Sequence, residues 1–322
     1  MFLKRVAVLF LGLACTCSSL ASAQAWPDRP VKFVVPFPAG SATDIPARLV
    51  AEQLSRIWGQ SVIVENRPGA AGALGAAEVA RAAPDGYTLF FPSGSVMTTN
   101  QHIYPKLTYD PDKDFVPVTT VVAGPQVLVV PSDSPYRSVA DMVAAAREAP
   151  GKLTFGHAGV GSQSHLAAEN FVSAAGIDAV AVAYKGDPPA LVDLAGGVVD
   201  FCVANLAAAI SQIRGGRVRA LAVTSAAQIS QLPGVPPIAD TLPGFESRGW
   251  FGIVAPAGTP DAVVRKVSVS VRQALADAGI REKLAGLGVE PVGDTPEAMG
   301  EMMARESARV ARIVSERHLA VR

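Results

Sequence analysis

Val31-Lys32-Phe33-Val34-Val35-Pro36-Phe37-Pro38-Ala39-Gly40-Ser41-Ala42-Thr43-Asp44 reads as a buried strand, a tight loop and the opening of a helix. Residues 31–35 are apolar apart from Lys32, without the strict alternation of a half-exposed strand. The strand is expected over 31–36, followed by the loop Phe37-Pro38-Ala39-Gly40, where Gly40 suits a turn. Ser41 or Thr43 can cap a helix, Pro46 fits its first turn and Gly59 can end it. Between them Val50, Leu54, Ile57 and Trp58 recur at i, i+4, i+7 and i+8, one helical face. A helix is therefore expected from about residue 43 to 58.

Outward from this unit the same alternation continues. Strands are expected at 61–65 and 87–91, and the pattern restarts with strands at 127–130 and 152–155 around a helix at 139–149. A second glycine-rich loop, Gly156-His157-Ala158-Gly159-Val160-Gly161-Ser162, leads into a helix at about 164–175 ended by Gly176. Further strands fall at 180–184, 201–204, 218–224 and 250–255, and helices at 260–276 and 296–316. Continuous apolar strands alternating with helices predict α/β architecture, with mainly parallel sheets covered on both faces. Residues 225–248, rich in Pro and Gly, read as a long surface excursion. Two domains joined by two crossings, near 120–130 and 245–250, would follow. Domain 1 would take residues 24–124 and 246–322, and domain 2 residues 125–245.

The first residues stand apart. Lys4 and Arg5 precede a short apolar run, and Ala21-Ser22-Ala23 gives the small residues of a cleavage site, so residues 1–23 read as a secretory signal. Cleavage after Ala25 is the second choice, and Cys15 offers a lipidation alternative. No later stretch is long and apolar enough to span a bilayer. Of 28 Lys and Arg against 28 Asp and Glu, the signal removes two basic residues, leaving 26 against 28 and a net −2. With no basic stripe, nucleic-acid binding and an electrostatic membrane anchor are both disfavoured. Of three Cys, Cys15 and Cys17 leave with the signal; Cys202, in an apolar strand, reads as a small buried hydrophobe.

The two glycine-rich loops carry the functional argument. Each follows a strand's C-terminal end and opens a helix, where open α/β sheets bind ligands. Helix N-termini present unpaired N–H groups and a partial positive charge, so two of them, one per domain, could clamp an anion without Arg or Lys. Ser41, Thr43, Ser162 and Ser164 would add donors. The plainer alternative is two ordinary capped helix starts. Gly69-Ala70-Ala71-Gly72-Ala73-Leu74-Gly75 is neither a dinucleotide fingerprint nor a phosphate loop, and reads as a tight loop with a closely packed helix. His102, His157, His165 and His318 form no metal-binding spacing. Ser162-Gln163-Ser164-His165 is not a nucleophile elbow and is more simply a helix cap. No metal, cofactor or catalytic residue is expected.

The chain resembles the Bug proteins, the TctC-like extracytoplasmic receptors of tripartite tricarboxylate transporters. The resemblance rests on Trp26-Pro27-Asp28-Arg29-Pro30-Val31, Val34 to Gly40, Thr43-Asp44, Val64 to Ala70, Ala83 to Leu89 and Tyr109 to Phe115. It continues through Pro150 to Leu153, Gly159 to Ser162, His165-Leu166, Tyr184-Lys185-Gly186, Ala220 to Ser225, and Trp250 to Pro260. It implies a two-domain periplasmic-binding-protein fold of the Venus-flytrap type II kind, and a periplasmic monomer that delivers a small carboxylate or amino acid to integral-membrane transporter subunits. It also implies ligand contacts from Ala39, Gly40, Ser41, Thr43, Asp44, Ser95 and Thr99 of the first domain. From the second it implies Ala158, Gly159, Gly161, Ser162, Ser164, Gly186, Asp187 and Asn205. Ser41-Ala42, Asp187 and Ala204 depart from the family pattern and leave the ligand's identity open. Asp187 is either a carboxylate facing the ligand or an N-cap before Pro188 and Pro189. A receptor feeding a sensor would share the same binding physics. An enzyme would need a poised nucleophile–base pair, and none is evident.

Overall fold

Strand β1 (Val31–Val35) alternates its side chains between two cores, and that alternation builds the first lobe. Val31, Phe33 and Val35 pack with helix α1 (Asp44–Trp58) and Val34 with helix α2 (Ala73–Ala80), on opposite faces of the sheet. The computed structural model describes residues 26–317; the expected signal segment with Cys15 and Cys17, and His318, lie outside the described residues. β1 pairs in parallel with β2 (Val62–Asn66) and β3 (Thr88–Phe90). Two short helices, α3 (Gly94–Thr98) and α4 (Asn100–Ile103), lead to a strand of 17 residues, β4 (Phe115–Pro131).

The first half of β4 belongs to this sheet and the second half to another. The second lobe contains helix α5 (Val139–Glu148), strand β5 (Leu153–His157), helix α6 (Gln163–Ala175) and strand β6 (Ala179–Ala183). Helix α7 (Asp187–Ala195), strand β7 (Phe201–Asn205), helix α8 (Leu206–Arg214) and strand β8 (Val218–Val223) follow. Here too the core is two-sided. Leu128 and Val130 pack towards α5 and α6, while Val127 and Val129 pack towards α7 and α8. The chain returns on β9 (Arg248–Pro256) and closes the first lobe with α9 (Asp261–Ala276), α10 (Ala278–Gly286), β10 (Glu290–Pro291) and α11 (Pro296–Arg317).

The parallel expectation holds for β1–β3 and for β5–β7, but not for the strands that connect the lobes. β4 and β9 run antiparallel, from the Phe115–Pro256 pair to the Pro125–Arg248 pair, because one carries the chain out and the other brings it back. The excursion at 225–248 is less superficial than expected: Leu232, Ile238 and Phe245 are buried in the second lobe. Thr224 ties the two crossings together. Its Oγ1 accepts from the Gln126 N–H at 2.8 Å and donates to the Ser247 carbonyl at 2.7 Å.

The lobes touch across the cleft. The Tyr104 hydroxyl donates to the Val160 carbonyl, and a Cβ on Gly186 would stand 2.8 Å from Pro38 Cδ. At the far end a Cβ on Gly288 would meet Leu206. The arrangement is closed.

Candidate ligand-binding site

The loop after β1 is braced from inside. Asp44 is buried, and its carboxylate accepts from the Gly40 N–H at 2.9 Å, from Arg48 Nε at 2.9 Å and from Asn66 Nδ2 at 2.8 Å. Asn66 Nδ2 also donates to the Phe37 carbonyl. Gly40 has φ +76°, which lets the chain turn back over this carboxylate. Asp44 and Gly40 thus shape the loop, and Ala39 is exposed on its outer side. Among the described residues the N–H groups of Ala42 and Thr43 have no protein acceptor and stand at the start of α1.

The loop after β5 is braced by two imidazoles tilted 36° to each other, with ring centroids 4.3 Å apart. The Gly159 N–H donates to His157 Nδ1 at 3.2 Å and the Gly161 N–H to His165 Nδ1 at 3.1 Å. The two glycine N–H groups expected to meet the ligand therefore hold the loop instead. Burial, and then the neighbouring His165, pull the His157 pKa down to about 4. His157 is neutral at pH 7, and its accepting Nδ1 places the proton on Nε2. Ser162 caps α6 by accepting from the His165 N–H, and Ser164 Oγ accepts from the Ala158 N–H at 3.0 Å. The N–H groups of Gln163 and Ser164 remain without a protein acceptor among the described residues. Each lobe therefore offers one helix N-terminus with two unspent donors, one residue or more from the glycines.

Between these ends lies a small compartment of about 10 Å³, room for a single water centre. Of the expected residues, Ser41, Thr43, Ala158, Ser162, Asp187 and Asn205 line it. Ser93, Gln163, Phe37 and Phe251 line it as well and were not among the expected contacts. An aromatic wall carries no local motif, and only the strand pairing brings Phe251 opposite Ser93. Ser164 sits behind the lining, where it touches Ser162 Oγ at 3.3 Å, and Gly186 turns the chain at φ +132°. Lys185, beside Gly186, is exposed.

Asp187 does not cap its helix. Gly186 occupies the N-cap with no side-chain cap bond, and Asp187 is the first helical residue. It is buried, and its carboxylate accepts from Asn205 Nδ2 at 3.0 Å. Burial pushes its pKa up, and the hydrogen bonds from Asn205 and Ser164 offset that only in part. Pro188 and Pro189 follow, so α7 lacks two of the N–H groups that would otherwise steady an anion.

Ser95 and Thr99 line a second cavity, of about 580 Å³, beside the first and between α6, α11 and the crossing strands. Its volume is that of a small-molecule site. Among the described residues no helix is long and apolar enough to cross a membrane, and no group of three His, Cys, Asp or Glu could hold a metal ion.

Comparison with known proteins agrees with this architecture. Residues 46–319 match the model of the tripartite tricarboxylate transporter family receptors. The protein from the tcbD-tcbE intergenic region of Pseudomonas sp. strain P51 is 39% identical over 98% of this chain and 95% of its own. BugT of Bordetella pertussis is 36% identical over 92% of this chain and 91% of its own. Among solved structures, Rpa4515 of R. palustris with adipate superposes with a TM-score of 0.88 at 38% identity, over 90% of this chain and 97% of that one. MatC of Rhodopseudomonas palustris with bound malate gives 0.85 at 32%, over 90% and 100%. The periplasmic binding protein BugD gives 0.87 at 34%, over 92% and 99%. The two-lobed type II binding-protein architecture described above is shared with these solved structures. The chain belongs to the tripartite tricarboxylate transporter receptor family.

Proposed function

We propose that this protein captures a small carboxylate-bearing solute between its lobes and hands it to integral-membrane transporter subunits. The observation that carries this reading is the pair of helix N-termini, from opposite lobes, whose unspent N–H groups flank one compartment. The backbone donors of the lining residues Thr43 and Gln163, with the hydroxyls of Ser41, Thr43 and Ser162, can hold a carboxylate without a cationic side chain. Adipate and malate in two relatives support the ligand class. Both are diacids, and the buried carboxyl of Asp187 would repel a second anionic group held close to it. It favours a solute that carries an ammonium group beside its carboxylate.

The same reading makes the mature protein a periplasmic monomer that starts near Gln24 or Trp26, with residues 24–124 and 246–322 as one domain and 125–245 as the other. It is a binding protein and carries out no chemistry on its ligand. A thermal-shift screen of about a hundred small acids, followed by calorimetry, tests the central claim. One acid bound per chain, with its methyl ester bound at least tenfold more weakly, is the expected result. Equal affinity for acid and ester would refute the carboxylate clamp.

A further inference from the structure

The small compartment and the 580 Å³ cavity share one lining residue, Gln163. It is the first residue of α6, and its Nε2 donates to the Trp250 carbonyl at 2.8 Å, across to the other lobe. Its Oε1 is buried with no partner and lies against Gly249, where a Cβ would stand only 2.3 Å away. The amide is therefore held by one hydrogen bond, in a niche that exists because residue 249 has no side chain. Moving it out leaves no hydrogen bond of Oε1 unmade. The two spaces also adjoin beside it: Ser93 Oγ, on the wall of the small compartment, is 3.0 Å from Ser95 Oγ, on the wall of the large one.

We propose that Gln163 is a movable partition between a head-group compartment and a body chamber, and that the natural solute is a carboxylate whose long or bulky body extends past Gln163 into the 580 Å³ cavity. This rests on the carboxylate reading above. The head compartment alone is too small for a four-carbon acid, whereas the chamber has the volume that encloses whole small molecules.

The chamber's chemistry limits what the far end carries. Leu166, Val310 and Val314 give it an apolar wall. Its acids Glu169, Glu246 and Glu306 outnumber Arg248 and Arg309. Arg248 is already paired with Glu290 at 2.6 Å, and Arg309 lies 3.7 Å from Glu306. A second carboxylate on the solute would enter a chamber with acids in excess and its cations engaged, so the body is apolar or neutral at its end.

Calorimetry on two parallel series separates the ideas. Propionate, hexanoate and adipate vary length and tail charge without an amine; alanine, norleucine and 2-aminoadipate repeat the comparison with one. Within each series the six-carbon monoacid is expected to bind at least tenfold more tightly than both the three-carbon acid and the six-carbon diacid. Gln163→Trp, which fills the passage, should erase the length advantage, and Gln163→Ala should keep or enlarge it. Equal affinity across lengths in the wild type, or an unchanged ranking in both variants, would overturn the partition while leaving the carboxylate clamp standing. If no acid of any length binds the folded protein, both fall. A difference between the two series bears on Asp187 alone, because the length comparison is made within each.

Discussion

Asp187 is the residue whose burial most needs an explanation. A carboxyl with its pKa raised in the folded state binds a proton there more readily than in the unfolded chain, so its contribution to stability declines as pH rises towards and through the folded value. Asp187→Asn keeps an oxygen to accept from Asn205 Nδ2 and removes the buried charge. The ligand-free variant should be at least as stable as the wild type at pH 7, with the difference shrinking near pH 3, by urea denaturation at both pH values. Calorimetry on the variant should show the preference moving from amino-bearing acids towards plain diacids. An unchanged ranking would reduce Asp187 to a structural partner of Asn205. An acid between Gly186 and two prolines is visible in sequence as an oddity, and Asn205 was identifiable from the family pattern. The environment of Asp44 was not. Its partner Asn66 lies 22 residues away, and only the parallel register of β1 with β2 brings it into reach.

At the scale of elements, α1, α5, α6, α9 and α11 were legible because one face repeats every 3.6 residues or because Gly59 and Gly176 end theirs in the left-handed conformation, with φ of +65° and +60°, whereas α8 and α10 were not expected. The first half of β4 was not. Pro117, Gly124 and Pro125 interrupt its apolar run, and the sheet absorbs the interruption with register shifts near Pro117 and Thr120. The two glycine loops looked alike in sequence yet respond differently to substitution. A Cβ on Gly40 meets nothing within 4 Å, so Gly40→Val is strained only by its positive φ, at about 1–2 kcal/mol. A Cβ on Gly161, also at positive φ (+81°), would stand 2.9 Å from Asn100 Oδ1 of the opposite lobe. Gly161→Val should therefore weaken ligand affinity more than tenfold by obstructing closure, whereas Gly40→Val should mainly lower the melting temperature. Parallel calorimetry and thermal denaturation check this, and equal affinity losses in the two variants would contradict it.

For the whole molecule, the restart of the strand–helix pattern after residue 125 made two lobes legible, but the antiparallel crossing of β4 and β9 emerges only from tertiary pairing. Thr224 links the two crossing segments through Gln126 and Ser247. Thr224→Val leaves the Gln126 N–H and the Ser247 carbonyl without their shared hydroxyl, at a cost of about 1–3 kcal/mol. Small-angle scattering should show the wild type compacting at saturating ligand, and the ligand-free variant more expanded than the ligand-free wild type. Identical profiles for all three samples would argue against a bending crossing. The crossing also bears on the order in which the protein assembles. The second lobe is an insertion whose ends are adjacent, since Gly124 and Gly249 are paired. The first lobe's sheet runs β2-β1-β3-β9-β4, so it lacks an interior strand until residues 248–256 have emerged. A chain that emerges from its N-terminus can therefore complete the inserted lobe first. The earlier-made strands β1 to β3 must wait, with β3 an open edge, and are the part of a half-made molecule most in need of a chaperone.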